Sequence, residues 1–378
     1  MAKSARNAEY TKEYNRKMFL RLLRRESLSR AEIARRLGLT RAASSLIADE
    51  LLHEGIIRET IATSKQLGRT PVPLTLCPDS AYAIGVYLNR DGCTAALVNV
   101  CGEVLEKERL RIGEGEGEEK LSPLVDSVNK MLANACLPIE ALIGVGISAP
   151  GPLDGESGRI LNPPRFDLWH QTDIGPMLST ELGLPVYLEN NATCLARYNL
   201  GKPETEGSEN FLLLLVDSGI GSGVISGGKV LKGAGYFTSE LGHISINYKG
   251  KRCACGNVGC LEAYASMPNI LSGSSFSDWN QVIAQHESKE AAALIQKEAE
   301  YLSAGIVSMI NLVSIDTVLL AGDILKGVEY FAPILEETVN KRILRRDFLP
   351  VRVMPSCSGP DAQVKSAADV AFDRFLMV

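Results

Sequence analysis

Three cysteines crowd into the stretch Cys253-Ala-Cys255-Gly-Asn-Val-Gly-Cys260, and His243 lies shortly before them. Three thiolates and one imidazole are four soft ligands, the donor set of a closed tetrahedral Zn²⁺ site. Gly256 and Gly259 allow the chain to fold tightly enough for Cys255 and Cys260 to converge. Four protein ligands (His243, Cys253, Cys255, Cys260) leave no position for an activated water, so the expected zinc is structural. The other cysteines, Cys77, Cys93, Cys101, Cys136, Cys194 and Cys357, are scattered. That distribution suits small buried thiols in a reducing compartment.

Three further patterns have chemical potential. Leu188-Glu189-Asn190-Asn191-Ala192 closes an apolar strand ahead of a helix. Ligands of α/β sheets sit beyond the carboxyl ends of strands, where two adjacent amides can grip hydroxyls. Asp217-Ser-Gly219-Ile-Gly221-Ser-Gly223 lies between two strands. It reads either as a nest of N–H groups for phosphate or as a plain hairpin turn. Ala149-Pro-Gly151-Pro152-Leu153-Asp154 and Leu161-Asn162-Pro163-Pro164 are rigid loops after a strand.

The elements that must carry these patterns are short apolar runs alternating with helical stretches. Strands are predicted at Tyr82–Leu88, Thr94–Val100, Leu142–Ser148, Pro185–Leu188, Phe211–Val216 and Thr317–Ala321. Helices are predicted over about 119–136, 176–182, 192–200, 278–312, 328–345 and 360–376. The alternation indicates an α/β body. Its size calls for two lobes around a cleft, with a boundary near residue 190.

The N-terminal segment differs. Residues 1–77 hold 15 Lys and Arg against 8 Asp and Glu, while the remainder holds 25 against 37. A basic piece on an acidic body points to a polyanionic partner. Met18, Phe19, Leu22 and Leu23 mark one amphipathic helix. Ser29 and Glu32 form a capping box for a second, and Thr40 caps a third over about Arg41–His53, with Leu46, Ile47, Leu51 and Leu52 as its apolar side. Two strands, Ile56–Ile61 and Val72–Cys77, flank a basic loop with Arg69 at its tip. Helix, helix, helix and hairpin predict a winged helix-turn-helix. Thr40, Arg41, Ser44 and Ser45 open the third helix and suit a major groove; Arg69 suits a minor groove or a phosphate.

Composition excludes several classes. With 45% apolar and 22% charged residues the chain is neither disordered nor collagenous. The longest apolar run, Phe211–Val216, is far too short to cross a bilayer, and the N-terminus lacks a signal-peptide pattern. The expected location is the cytoplasm, without membrane insertion.

Taken in order, the four patterns resemble the ROK family (repressor, open reading frame, kinase). The zinc signature C-x-C-G-x-x-G-C-x-E stands complete from Cys253 to Glu262, behind Glu240-Leu-Gly-His243. With its N-terminal helices the chain is similar to the transcriptional-repressor branch. The resemblance implies an actin-like, hexokinase-type ATPase fold behind the winged helix: residues 1–77, then a sugar-binding body over 78–378 whose C-terminal helix returns to the first lobe. It also implies sugar contacts from Asn162, Asn190, Glu240, His243 and Glu262, with Asn191 beside them. The family's kinases hold ATP phosphate with D-x-G-G-T; the matching stretch is Ile84–Asp91, where Tyr87 replaces the Asp and both glycines are missing. Their catalytic base follows the Asn of E-N-D; here Glu189-Asn190-Asn191 puts an amide in its place, which cannot take a proton at neutral pH. The expectation is a non-enzymatic, sugar-responsive regulator that binds operator DNA as a homodimer or higher homo-oligomer. Its effector is a sugar or a sugar phosphate. The alternatives are an ATP-dependent sugar kinase with a DNA-binding arm, and a regulator controlled by a protein partner.

Overall fold

The computed structural model describes residues 8–60, 72–89, 92–111, 118–233, 239–357, 359 and 361–376. The loop carrying Arg69, and Arg90 and Asp91 of the Ile84–Asp91 stretch, fall outside the described residues.

The chain opens with α1 (Ala8–Leu23), β1 (Leu28–Ser29), α2 (Arg30–Leu37), α3 (Arg41–His53), β2 (Ile57–Glu59) and β3 (Pro73–Leu76). Local chemistry sets these boundaries. Ser29 Oγ accepts from Glu32 N at 3.3 Å while Ser29 N donates to Glu32 Oε2 at 3.1 Å, the two bonds of a capping box. Gly38, at φ +65°, ends α2, and Thr40 Oγ1 accepts from Ala43 N at 3.1 Å to open α3. The strands pair antiparallel in the order β1-β3-β2. Phe19, Leu23, Ile33, Ile47, Leu51 and Leu74 are buried together. Leu46, expected inside, is 60% exposed: the buried stripe runs through Ser44, Ile47, Ala48 and Leu51 instead.

The body holds two sheets built to one plan. The first contains β4 (Tyr82–Asn89), β5 (Gly92–Asn99), β6 (Val104–Leu110), β7 (Leu142–Ala149) and β10 (Val186–Asn190), in the order β10-β7-β4-β5-β6. Between them lie α4 (Glu118–Asn134), the short pair β8 (Leu153–Asp154) and β9 (Arg159–Ile160), and α5 (Ile174–Leu182). Then α6 (Asn191–Asn199) leads to the second sheet, β11 (Phe211–Val216), β12 (Ile220–Ser226), β13 (Lys229–Val230), β14 (Thr317–Gly322) and β15 (Arg352–Pro355), in the order β13-β12-β11-β14-β15. Its helices are α7 (Glu262–Ala265), α8 (Met267–Ile270), α9 (Trp279–Ala284), α10 (Lys289–Val313) and α11 (Val328–Asn340), and α12 (Ala362–Phe375) closes the chain. In each sheet three strands form an antiparallel meander and two more add in parallel on the other side of its first strand.

Two expected helices are cut short. The stretch 278–312 is two helices because Ser288 starts a new one, its Oγ accepting from Ala291 N at 3.2 Å. The helix expected to reach residue 345 stops at Asn340, whose side chain pairs at 2.8 Å with both Val351 N and Val351 O.

The lobes exchange helices. α12 follows the second sheet yet packs on the first, where Gly85 and Gly146 let its backbone approach: a Cβ there would stand 2.0 Å from Val364 O and 1.9 Å from Ala367 O. α6 follows the first sheet yet packs on β12, where a Cβ at Gly223 would stand 2.5 Å from Ala192 O. The N-terminal helices join this arrangement without a break in packing. Phe19, Leu20 and Leu23 share one apolar cluster with Ala96 and Val98 of β5 and with Val364, Ala368 and Phe372 of α12.

Gly146→Ala forces a methyl into helix backbone. Overpacking of this kind costs typically 1–3 kcal/mol, about the loss expected in a urea midpoint comparison with the native chain. An unchanged midpoint would show that α12 can back away from the sheet.

Candidate functional site

The cysteine loop folds back on His243. The ligand atoms of His243, Cys253, Cys255 and Cys260 all lie within 4.8 Å of one another. Cys253 Sγ is 3.7 Å from His243 Nδ1, and Cys255 Sγ is 3.7 Å from Cys260 Sγ. A tetrahedral ion with bonds near 2.3 Å to sulfur holds its sulfurs about 3.7–3.8 Å apart, the spacing of these two pairs, so the donor set suits such an ion. Gly259, at φ +76°, makes the closure possible, since a Cβ there would stand 1.8 Å from Asn247 O. Burial first, and then the neighbouring Cys255 and Cys253 thiols, push the Cys260 thiol up to about 12. Burial raises the Cys253 thiol as well, and a bound divalent cation would favour the thiolates instead.

Of the six sugar-binding candidates, Asn190 and Glu240 meet at the mouth between the lobes. Gly151, Leu153, Leu188, Glu189, Asn190 and Glu240 line a cavity there. Asn190 caps α6: its Oδ1 accepts from Ala192 N at 3.0 Å and Thr193 N at 3.3 Å, leaving Nδ2 as a free-facing donor toward Gly151. A Cβ at 151 would come within 3.0 Å of Asn190 Nδ2 and 3.2 Å of Glu240 Oε1, so the glycine keeps both groups accessible. Glu240 and His243 share one short turn, held by His243 N donating to Glu240 O at 3.0 Å. Burial of the Glu240 carboxyl raises its pKa; nearby His243 opposes this and Glu262 reinforces it. Glu262, buried at the start of α7, accepts from Ile220 N at 3.0 Å through Oε2, so it braces the glycine-rich turn. Asn162 is exposed and accepts from Gln171 Nε2 at 3.0 Å. Its loop runs beside Gly151, because Leu161 N donates to Pro152 O at 3.2 Å. Asn191 Oδ1 turns back to Ala192 N at 2.8 Å and faces Gly221.

The fold that carries these residues is shared with known proteins. The ROK family model matches residues 83–374. The chain belongs to the ROK family. A xylose repressor of Caldicellulosiruptor bescii is 28% identical over 369 residues, covering 92% of each chain. The crystal structure of a ROK family transcriptional regulator, a homologue of the E. coli MLC protein, superposes with a TM-score of 0.81 at 25% identity over 97% of each chain. A ROK hexokinase from Thermus thermophilus superposes with a TM-score of 0.66 at 26% identity; it covers 78% of this chain and 98% of its own.

A second crevice brings the phenol of Tyr87 near two carboxylates, Asp217 and Asp323. Asp217-Ser-Gly219 is the turn of a hairpin, with Val216 opposite Ile220, and Asp217 N donates to Gly219 O at 2.9 Å. Asp217 Oδ1 accepts from Asp323 N at 2.7 Å. Burial raises the Asp217 pKa; the Asp323 N–H opposes the rise and the Asp323 carboxylate adds to it. Tyr87 faces the same pair across the lobes: burial, then Asp217 and Asp323, push its phenol up to about 12. Sequence reading found Tyr87, named Asp217 only as the start of the glycine-rich pattern, and missed Asp323. No local signal marks the two aspartates as a pair, since they lie far apart in the chain and meet only where β11 and β14 end side by side.

The five DNA-contact candidates separate. Arg41 is exposed, Thr40 is exposed with its hydroxyl spent on capping, and Ser45 is half-buried. Ser44 is a correction: it is fully buried, and its Oγ donates to Arg30 O at 2.7 Å, so it ties α3 to α2 and cannot reach DNA. Arg69 lies outside the described residues.

Purified protein should carry about one divalent metal per chain, and Cys255→Ser should lower metal affinity more than about 100-fold, beyond what outer-shell changes cost. Elemental analysis after dialysis decides; a folded native chain free of metal would remove the centre.

Proposed function

We propose that the chain is a sugar-responsive, DNA-binding transcriptional regulator, a repressor of carbohydrate-uptake or catabolism genes, with a kinase-like body that no longer transfers phosphate. The observation that carries this reading is the contrast between its two crevices. The sugar side keeps converging amides and carboxylates at Asn190, Glu240 and Glu262, with Asn162 and His243 beside them. The phosphate side carries Tyr87 against Asp217 and Asp323, which repel a polyphosphate where a kinase needs N–H donors. Asn191 adds a neutral amide where a base is required. The relative from C. bescii is a xylose repressor, which supports the same class.

In this reading residues 1–77 are a winged helix-turn-helix with Thr40, Arg41, Ser45 and Arg69 toward DNA, and residues 78–378 are the sensor. The chain works in the cytoplasm as a homodimer or higher homo-oligomer, since one recognition helix reads only a half-site. The metal is a structural Zn²⁺ on His243 Nδ1 and three thiolates, which leaves the other imidazole nitrogen for a sugar hydroxyl. Asn191 bears no charge, so a sugar phosphate is tolerated as well as a free sugar.

Two outcomes test the proposal. D-xylose or another sugar at about 100 times its dissociation constant should stabilise the native chain by about 2.7 kcal/mol in thermal unfolding, while ATP with Mg²⁺ yields no sugar phosphate. Asn191→Asp should also give no turnover, because Tyr87 and the two aspartates remain; turnover by that single variant would show that these groups do not block the phosphate site. Separately, Arg41→Ala should weaken DNA binding about tenfold and flatten its salt dependence by about one unit of slope, with sugar binding intact. Equal binding by variant and native chains would take Arg41 off the interface.

A further inference from the structure

A chain of charged contacts runs from the cavity wall to the N-terminal helices. Glu189 lines the cavity, and its Oε2 pairs with Arg197 Nη2 of α6 at 3.0 Å. Arg197 Nη1 points on to Asp373 Oδ2 of α12 at 3.5 Å. That nitrogen is buried and makes no hydrogen bond. From the other side Arg24, just beyond α1, donates to Asp369 Oδ1 at 2.5 Å and to Val100 O at 3.2 Å. Its guanidinium lies 4.4 Å from the centre of the Phe372 ring, and its Nη1 stands 3.8 Å from Asp373 Oδ1. Both arginines are largely buried, at 11% and 13% side-chain exposure, so solvent screens these contacts weakly.

We propose that Asp373 is the positioning residue that couples the sugar cleft to the DNA-binding unit, by sharing its carboxylate between Arg197 and Arg24. Each arginine has a closer partner of its own, Glu189 for Arg197 and Asp369 for Arg24, so Asp373 holds neither helix in place by itself. It sits between two cations at similar long distances, where a small shift of either changes the balance. Asn190 caps the same α6 that carries Arg197. A ligand gripping Asn190 and crowding Glu189 therefore moves Arg197 against Asp373, and the carboxylate's hold on Arg24 changes with it. α12 transmits the shift because its backbone is seated on the first sheet at Gly85 and Gly146. The inference rests on the regulatory reading above.

The test uses the full chain, a DNA duplex selected by that chain from a random pool, and D-xylose, D-glucose and glucose 6-phosphate as probes. Operator affinity is measured with and without the probe that binds, for the native chain, Asp373→Asn and Asp373→Glu; sugar affinity is measured by calorimetry. The native chain should show a sugar effect on operator affinity in the range of about 5–150-fold. Asp373→Asn should reduce that effect below about twofold while its sugar affinity and its sugar-free operator affinity each stay within about threefold. Asp373→Glu, which keeps the charge, should restore most of it. Full coupling in Asp373→Asn overturns the proposal, and so does a loss of coupling that Asp373→Glu fails to rescue. If Asp373→Asn does not fold, Arg24→Gln cuts the same link from the other side, and native coupling there overturns the proposal equally. A native chain that binds no sugar or no DNA, or binds both without coupling, fails before Asp373 is altered; that result overturns the regulatory reading and the relay with it.

Discussion

The backbone of α12 lies directly on β4 and β7 because positions 85 and 146 carry no side chain, and much else follows from that seat. A helix in van der Waals contact with a sheet through its own carbonyls cannot slide without leaving a void or a clash. α12 therefore moves with the first sheet although the chain reaches it from the second. α6 is the reciprocal case, seated on β12 through Gly223 while emerging from the first sheet. Any rotation of one lobe against the other has to pass through this crossed pair. The cleft opens at the start of α6, and the N-terminal helices rest on α12. The cleft and the N-terminal helices thus share their mechanical support.

The second lobe brings a different constraint to the cleft. Glu240, which lines the cavity, and His243, which faces the cysteine loop, occupy a single short turn. Leu241 N in that turn donates to Ser222 Oγ of β12 at 3.3 Å, and a Cβ at Gly242 would stand 2.2 Å from Ile220 O. The turn is pinned to the sheet on one side and to the cysteines on the other. A bound ion would hold His243 from below, and through it the height of Glu240 in the cleft. Rigid support of this kind suits hydroxyl recognition, where donors and acceptors must lie in fixed planes.

Much of this was legible in the sequence, for reasons that differ by element. Phe211–Val216 and Tyr82–Leu88 are buried on both faces, so continuous apolar runs mark them. The capping box at Ser29 and Glu32 and the four-ligand cluster are local, and local spacing suffices. β6 escaped because it is a charged strand, Val104-Leu-Glu-Lys-Glu-Arg-Leu110, exposed on every second residue. Ser44 was misjudged because a hydroxyl near a helix start looks polar and outward; only the approach of α2 turns it inward to Arg30 O. The charged contacts among Arg24, Glu189, Arg197, Asp369 and Asp373 span most of the chain and have no local signature at all.

The two crevices place unequal demands on the chain. Phosphoryl transfer requires a carboxylate base, a cradle of N–H donors and a neutral or positive surround, all present together. By the resemblance to the kinases, an amide and a phenol stand in those places here, and two carboxylates lie near the phenol. Recognition that shifts an equilibrium requires less: the ligand must bind one arrangement of the lobes better than another. Asn190 Nδ2 from the first lobe and the Glu240 carboxyl from the second both stand beside Gly151, so a ligand touching both would feel a rotation between the lobes. A fold whose lobes are strapped by two crossed helices then converts differential binding into a change of seat for whatever rests on α12. In this chain that is Arg24 and the helices behind it. The same scaffold that closes over substrate in a kinase can therefore act as a sensor once its sugar-binding side is kept and its phosphate side is lost.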